Sequence, residues 1–159
     1  MPDIADYRIR EANKDDVGIV AHQRVAMLRD MGMLEDDAME PLAAASRKYF
    51  TAALRNGEYH GWLVEHAGVV IAGGGALLRR LLPAPSRLDP GEEAYVLNVY
   101  TEPDHRRRGV ARRLTEHILD WCRARGVTRV ALHASIDGRP LYEQLGFLPT
   151  NEMRRDLSR

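Results

Sequence analysis

The part of this sequence that most constrains its fold is a strand-like run that leads, through a basic stretch, into an amphipathic helix. Residues Ala94 to Tyr100 read A-Y-V-L-N-V-Y, and this density of Val, Tyr and Leu between turn residues predicts a strand. A helical apolar stripe then runs between two glycines, Gly109 and Gly126. Its members are Val110, Leu114, Ile118 and Trp121. The two elements together indicate a surface helix packed on a sheet.

The basic stretch between this strand and this helix predicts an anion-binding site. It reads E-P-D-H-R-R-R-G-V-A-R-R-L from Glu102 to Leu114, and Gly109 stands where the chain enters the helix. The first N–H groups of a helix lack partners within it and carry the positive end of its dipole, and a glycine lets a ligand approach the backbone. Three consecutive arginines, residues 106–108, add charge that suits a pyrophosphate or a ribose phosphate.

Two other glycine-rich phosphate motifs are absent from the sequence. Neither G-x-x-x-x-G-K-[ST] nor G-x-G-x-x-G occurs. Gly73, Gly74 and Gly75 lie in or after a strand-like run, but no helical pattern follows them. We therefore interpret this triple glycine as a bulge or a point of close packing.

The other segments alternate between strand-like and helical patterns. The predicted order is a strand at 7–10, helices ending near residues 31 and 54, a hairpin within 62–72, a proline-rich loop at 81–91, the strand and helix above, a strand at 127–134, a short helix at 140–145 and a last extended piece from Phe147. Asn13 and Asp16 form a capping pair at the start of the first helix. The alternation in the second half predicts a partly parallel sheet in an α/β (α+β) fold.

Length and composition fit one intracellular domain. A chain of 159 residues supports one hydrophobic core, so we predict a single domain over 1–159. Its 23 basic and 23 acidic residues balance, which argues against a nucleic-acid or membrane partner. The lone Cys122 cannot form an internal disulfide and is interpreted as core, and no Cys and His cluster has metal-ligand spacing. Without a signal-like start or a long apolar run, the protein is expected to be soluble and cytoplasmic.

Two motifs carry a resemblance to a known family. Arg106-x-x-Gly109-x-Ala111 resembles the R/Q-x-x-G-x-G/A pyrophosphate loop of the GNAT superfamily of N-acetyltransferases. L-Y-E-Q-L-G-F, from Leu141 to Phe147, resembles the second signature of that family and follows at the expected separation. The resemblance implies a GNAT fold, with a mixed central sheet of about six or seven strands and four helices, splayed at a bulge in the fourth strand.

The resemblance also implies a binding site for acetyl-CoA as the acyl donor. Backbone groups of Asn98, Val99 and Tyr100 would pair with the pantetheine arm like an added strand. The pyrophosphate would be held by the loop and the first helical turn. The loop residues implied are Arg106, Arg107, Arg108, Gly109, Val110, Ala111 and Arg112. Ser135 stands where many members have a cofactor-binding Asn.

The implied reaction is direct attack of an amine on the thioester in a ternary complex, with the Tyr142 hydroxyl as the general acid. No position matches a fixed family motif for the general base. His133, Glu93 and Tyr95 are candidates, as is a chain of water molecules, although an ordinary residue of the sheet is the favoured interpretation of His133.

Candidate acceptor-binding residues lie around the first helix break and at the short helix. Met27 and Met31, with Arg24, Leu28 and Met33 nearby, would face the acceptor pocket in this family, although Met and Leu at helical spacing also suit a core. Arg139 could bind an anionic group of a substrate or cofactor, or could pair with an acid at the surface.

Several functions remain open from the sequence alone. The first is acetylation of a primary amine, with a small molecule favoured as acceptor. The alternatives are acetylation of a protein lysine or N-terminus, non-catalytic binding of an acyl-CoA, and a nucleic-acid-binding module that uses the arginine cluster. A homodimer that pairs through the C-terminal strand is also compatible with the sequence.

Overall fold

The computed structural model describes residues 3–158, which fold into five strands and four α-helices. The strands are β1 (Arg8–Glu11), β2 (Tyr59–His66), β3 (Val69–Leu81), β4 (Gly91–Thr101) and β5 (Arg129–Leu132). The helices are α1 (Val17–Asp30), α2 (Met39–Asn56), α3 (Val110–Arg125) and α4 (Arg139–Gln144). The number of helices and the order of elements up to α4 agree with the sequence prediction.

The five strands form one sheet in the order β1-β2-β3-β4-β5. Pairing is antiparallel from β1 through β4, whereas β4 and β5 are parallel because α3 carries the chain back across the sheet. The predicted partly parallel sheet is confirmed.

The helices cover both faces of the sheet and bury two apolar clusters. On one face α1 and α2 pack through Val20, Phe50 and Ala53 onto Tyr59 and Leu63 of β2. On the other face the predicted apolar stripe of α3 is buried against the sheet, with Leu114 and Ile118 at 0% exposure. The free Cys122 lies in this second cluster, and burial raises the pKa of its thiol, so the interpretation of Cys122 as a core residue is confirmed.

The predicted capping pair fixes a single 3-10 turn, Lys14–Asp16, that leads directly into α1. The Asn13 amide N–H donates to the Asp16 carboxylate, and the Asn13 side chain accepts from the Asp15 N–H. Arg10 of β1 donates two further hydrogen bonds to Asp16, at 2.8 and 2.9 Å, and lowers the pKa of that buried carboxyl. The ion pair therefore ties the start of α1 to the edge strand of the sheet.

The strand count is lower than the six or seven that we predicted. The chain after α4 forms no strand in the described residues, so the last extended piece from Phe147 is not a sixth strand. An extended segment becomes a strand only when it pairs with another strand, and burial of one face of the segment normally stabilises that pairing. Here residues 148–158 are exposed throughout and bury no face, with Leu148 80% and Met153 94% exposed.

The triple glycine is a point of close packing, as interpreted from the sequence. A Cβ on Gly73 would lie 2.2 Å from Oε1 of the buried Gln23 of α1, and one on Gly75 would lie 2.3 Å from the ring and hydroxyl of Tyr59. Gly74 faces Val99 of β4. The glycines therefore let α1 and Tyr59 approach the backbone of β3.

The substitution Gly75→Ala tests this packing. The added methyl group would displace Tyr59, which is 2% exposed, or the His60 carbonyl at 2.6 Å, so we expect a loss of roughly 1–3 kcal/mol of unfolding free energy. Urea denaturation measures this loss of unfolding free energy. Gly18→Ala is the matched control, because Gly18 lies in α1 with nothing within 4 Å and should gain about 0.5–1 kcal/mol. Equal stability of Gly75→Ala and the wild-type protein would contradict the packing.

Within residues 3–158, no helix combines the length and the apolar composition that crossing a membrane requires.

Candidate active site

The sheet opens between β4 and β5. The two strands pair only from Glu93 with Arg129 to Val96 with Leu132. Beyond Val96, β4 continues to Thr101, and in the described part of the chain no strand lies against its β5 side. The backbone groups along this edge of β4 are therefore available to a ligand that extends like a strand.

A β-bulge lies where the two strands diverge. Gly73 pairs with Tyr100 and Gly75 with Leu97, so Asn98 and Val99 both stand opposite Gly74. Asn98 has a φ of 62°, which an amide side chain tolerates better than most. The expected bulge in the fourth strand is confirmed. Asn98 is 3% exposed, and its Oδ1 finds no hydrogen-bond donor among residues 3–158.

The loop before α3 presents a run of unpaired backbone amides. In the described structure, the backbone N–H groups of six consecutive residues, 107–112, donate to no acceptor. Arg107 at φ 62° and Gly109 at φ 77° adopt the left-handed conformation, which turns the chain sharply into the first turn of α3. Unpaired amides at a helix N-terminus attract anions, so this loop fits a phosphate or pyrophosphate group.

The arginines of this loop divide into two groups. The Arg106 guanidinium is occupied, because it contacts the Asp30 carboxylate at 2.6 Å and the Thr101 carbonyl at 2.8 Å. It ties the loop to the end of α1. Arg107 and Arg108 make no ion pair with any described residue and are the cations left to meet an anion here. Arg112 donates to the Gln144 side chain and thereby holds α4 beside the first turn of α3.

Tyr142 lies on α4, which follows a turn that Ser135 stabilises. The Ser135 hydroxyl accepts a hydrogen bond from the Gly138 N–H at 3.0 Å, so this oxygen serves the turn. Tyr142 is half-buried and packs edge-on against Phe147, with ring centroids 5.8 Å apart. Burial raises the pKa of the Tyr142 phenol, which keeps it protonated near neutral pH and able to donate a proton.

The three candidate bases occupy different surroundings. Glu93 is 4% exposed and is bonded by Arg79 at 2.6 Å and Arg129 at 2.7 Å, at the closed end of the β4–β5 pair. Tyr95 lies under the Arg79 guanidinium, 4.5 Å from it. His133 is exposed and directly follows β5, where the two strands diverge. Of the three, only His133 has an uncommitted side chain at the opening.

A pocket of about 360 Å³ lies between α1, α2 and the sheet. Its lining residues are Arg24, Ala45, Ser46, Tyr49, Phe50, Tyr59, Leu77 and Leu97. Leu97 is the residue immediately before the bulge, so the pocket reaches the point where β4 and β5 separate. Apart from Arg24, these residues were not singled out in the sequence, because they come from four elements and share no local pattern.

Of the residues predicted to face the acceptor, Arg24 lines this pocket. Met27 and Met31 follow Arg24 along α1 toward its C-terminal end, and neither lines the 360 Å³ pocket. Met31 is 41% exposed. Arg139 donates to Glu143 at 2.7 Å on the surface of α4, which is the second of the two alternatives considered for it.

Comparison with known proteins gives a consistent picture. The profile of the acetyltransferase (GNAT) family matches residues 27–147, well over half of the chain. The crystal structure of a GCN5-related N-acetyltransferase from Ralstonia eutropha JMP134 superposes with a TM-score of 0.86 and 31% identity, over 96% of this chain and 99% of that one. A predicted acetyltransferase from Clostridium acetobutylicum, crystallised with acetyl-CoA, gives a TM-score of 0.81 and 27% identity over 94% of each chain.

Two characterised relatives match shorter regions. The [ribosomal protein bS18]-alanine N-acetyltransferase of Salmonella typhimurium is 39% identical over 59 residues, which cover 35% of this chain and 40% of that protein. The mycothiol acetyltransferase of Beutenbergia cavernae is 41% identical over 92 residues, which cover 55% of this chain and 28% of that protein. The matched part is thus less than half the length of either relative. The family profile and the near-complete structural match nevertheless agree, and the chain belongs to the acetyltransferase (GNAT) family.

Proposed function

We propose that this protein is an N-acetyltransferase that transfers the acetyl group of acetyl-CoA to a primary amine. The observation that carries the proposal is the opening of β4 away from β5 beside six unpaired amides, residues 107–112. Acetyl-CoA is the donor of this family, and it combines a pyrophosphate with an extended arm. The loop and the free edge of β4 offer complementary groups to these two parts.

The binding roles follow from the backbone. The amides of Arg107 to Arg112 would hold the pyrophosphate, with charge from Arg107 and Arg108. Backbone groups of Asn98, Val99 and Tyr100 would pair with the pantetheine arm along the strand edge. Arg106 would act by bracing the loop against Asp30. Ser135 would support the turn that leads to Tyr142.

The chemistry requires a proton donor and a route for proton loss. Acetyl-CoA supplies a thioester whose carbon–sulfur bond breaks as the new carbon–nitrogen bond forms. The protonated phenol of Tyr142 would give its proton to the departing sulfur, and burial keeps it protonated for that step. The amine nitrogen would lose its own proton to water or to His133, which is exposed at the opening.

The acceptor is proposed to be a small molecule. The pocket between α1, α2 and the sheet has a volume of about 360 Å³, at the lower end of the range for small-ligand sites. The two characterised relatives are named for a protein alanine and for mycothiol, so they do not favour one class of acceptor. The pocket favours the small molecule over a protein side chain.

Calorimetric titration with acetyl-CoA, coenzyme A, NAD and a short DNA duplex tests the donor assignment. Selective binding of the two coenzyme A species is expected, followed by release of free thiol when primary amines are added. Binding of the duplex alone would mean that the arginine cluster is a nucleic-acid phosphate patch. Binding of acetyl-CoA with no thiol release from any amine would favour a non-catalytic acyl-CoA-binding protein.

Pairing of two copies through the C-terminal segment, and a cytoplasmic location, stay predictions of the sequence. The free edge of β5 and the exposed apolar side chains of Leu148, Met153 and Leu157 support pairing between copies.

A further inference from the structure

Arg24 places a positive charge in the wall of a pocket that is otherwise aromatic and apolar. It projects from the middle of α1 and lines the 360 Å³ pocket together with Tyr49, Tyr59 and Leu97. The Arg24 side chain is half-buried, so its guanidinium has exchanged part of its water for protein surroundings. A charge in such a position normally has a partner of opposite sign.

No partner for this charge is found among residues 3–158. No carboxylate lies within 4 Å of the Arg24 guanidinium, and no aromatic ring stacks on it. Glu58, on the same side of the molecule, instead accepts a hydrogen bond from the Tyr49 hydroxyl at 3.3 Å. Most of the other arginines named above are committed to a carboxylate, as Arg106 is to Asp30. The guanidinium of Arg24 is therefore available to a ligand.

A second unpartnered polar atom lies beside one of the pocket residues. Asn98, at the bulge, is only 3% exposed, and its Oδ1 accepts no hydrogen bond from the described chain. It neighbours the pocket residue Tyr59: burial raises the pKa of the Tyr59 phenol, and the nearby Asn98 amide and Arg24 guanidinium partly oppose that rise. Asn98 does not line the pocket, so the free polar group in the pocket wall is the Arg24 guanidinium on α1.

We propose that the acceptor is a small primary amine that also carries an anionic group, a carboxylate or a phosphate, and that Arg24 binds this group. The proposal rests on the proposed acetyltransferase function and adds the class of its acceptor. An anion suits the guanidinium, and Leu97 brings the pocket to the opening between β4 and β5. With the anion held on α1, the amine end is directed toward the opening between β4 and β5.

Matched pairs of acceptors test the proposal. Glycine is compared with glycinamide and 2-aminoethyl phosphate with ethanolamine, each with acetyl-CoA and a thiol-release assay. The anionic member of at least one pair is expected to have the higher kcat/KM, and the pair that responds separates carboxylate from phosphate. Equal rates within both pairs, or a preference for the neutral members, would overturn the proposal.

Variants of Arg24 assign the preference to this side chain. Arg24→Gln is expected to raise KM for the anionic acceptor about 10- to 100-fold with little change in kcat, because the ion pair contributes to binding. Arg24→Lys should restore part of the affinity. Arg29→Gln is the matched control, since Arg29 is an exposed arginine of the same helix and its loss changes the net charge equally. A preference that survives in Arg24→Gln would contradict the assignment.

Direct binding separates this proposal from the assignment of the reaction. The methyl NMR signals of Leu77 and Leu97 report on the pocket, and they are followed with the same four compounds in the free protein and in the protein saturated with coenzyme A. Shifts with an anionic compound that disappear in Arg24→Gln would support the anion site even if no thiol is released. Failure of acetyl-CoA to bind would reject the donor assignment alone. Absence of any shift with either anionic compound, in both forms of the protein, would reject the anion site.

Discussion

Gly109→Asp is expected to abolish binding of acetyl-CoA while the domain stays folded. Gly109 is the N-cap of α3 at φ 77°, and its own amide is among the six unpaired amides that would hold the pyrophosphate. A carboxylate at this position repels the phosphate charges by about 4 kcal/mol for unit charges 4 Å apart near a protein surface. We therefore expect at least a roughly 100-fold rise in the dissociation constant, measured by calorimetry.

Gly109→Asn separates the effect of charge from the effect of backbone strain. Asn has the same shape as Asp, tolerates the left-handed conformation and carries no charge. A Cβ at this position meets nothing closer than 3.7 Å, the distance to Ile4 Cδ1, so steric clash with the protein does not confuse the comparison. Gly109→Asn should lose much less affinity than Gly109→Asp. Equal affinity of Gly109→Asp and the wild-type protein would place the pyrophosphate elsewhere.

Tyr142→Phe is expected to reduce kcat on the order of 10²-fold and to leave the affinity for acetyl-CoA unchanged. The ring of Phe keeps the edge-on contact with Phe147, and only the hydroxyl that would protonate the departing sulfur is lost. Because burial raises the pKa of the Tyr142 phenol, the alkaline limb of the wild-type pH profile should lie above the ordinary tyrosine range. That limb should be absent in the variant.

Tyr7→Phe controls for the loss of a buried phenol hydroxyl outside α4. Tyr7 is buried, and its hydroxyl bonds Nδ1 of His105 at 3.1 Å, so its removal changes stability and not the proposed acid. Single-turnover measurements with saturating acetyl-CoA compare the two variants. Full activity of Tyr142→Phe would transfer the proton-donating role to water.

The sequence predicts this fold best where local pattern and global structure agree. The stripe from Val110 to Trp121 has a helical period and the run around Val96 is dense in strand-forming residues, and α3 and β4 were both predicted close to their observed bounds. The bulge was expected only through the family resemblance, because Asn98 and Val99 carry no local signal for it. Its physical cause lies in β3, where Gly74 faces two residues of β4.

The features that the sequence did not predict depend on distant partners. The segment after Phe147 has an extended pattern, but strand formation needs a neighbouring strand and a buried face, and residues 148–158 have neither in the described chain. The sequence predicted that Arg106 adds charge to the anion site. It could not show that Arg106 bonds Asp30, which lies 76 residues earlier. The pocket around Arg24 was likewise hidden, because its walls come from five separate elements.

The pairing of β4 with β5 also bears on how the domain opens and closes. β2, β3 and β4 follow one another as hairpins with long ladders, whereas β5 joins the sheet only after the whole of α3 and over the short stretch from Glu93 to Val96. Such non-local pairing is expected to form late in folding and to open early, because loop-closure entropy opposes it and few ladder hydrogen bonds offset that entropy. β5 is therefore expected to open more readily than the hairpins. The strand that borders the open side of the proposed donor site is thus held by only four ladder pairs, which would give a bulky cosubstrate a way in and its product a way out.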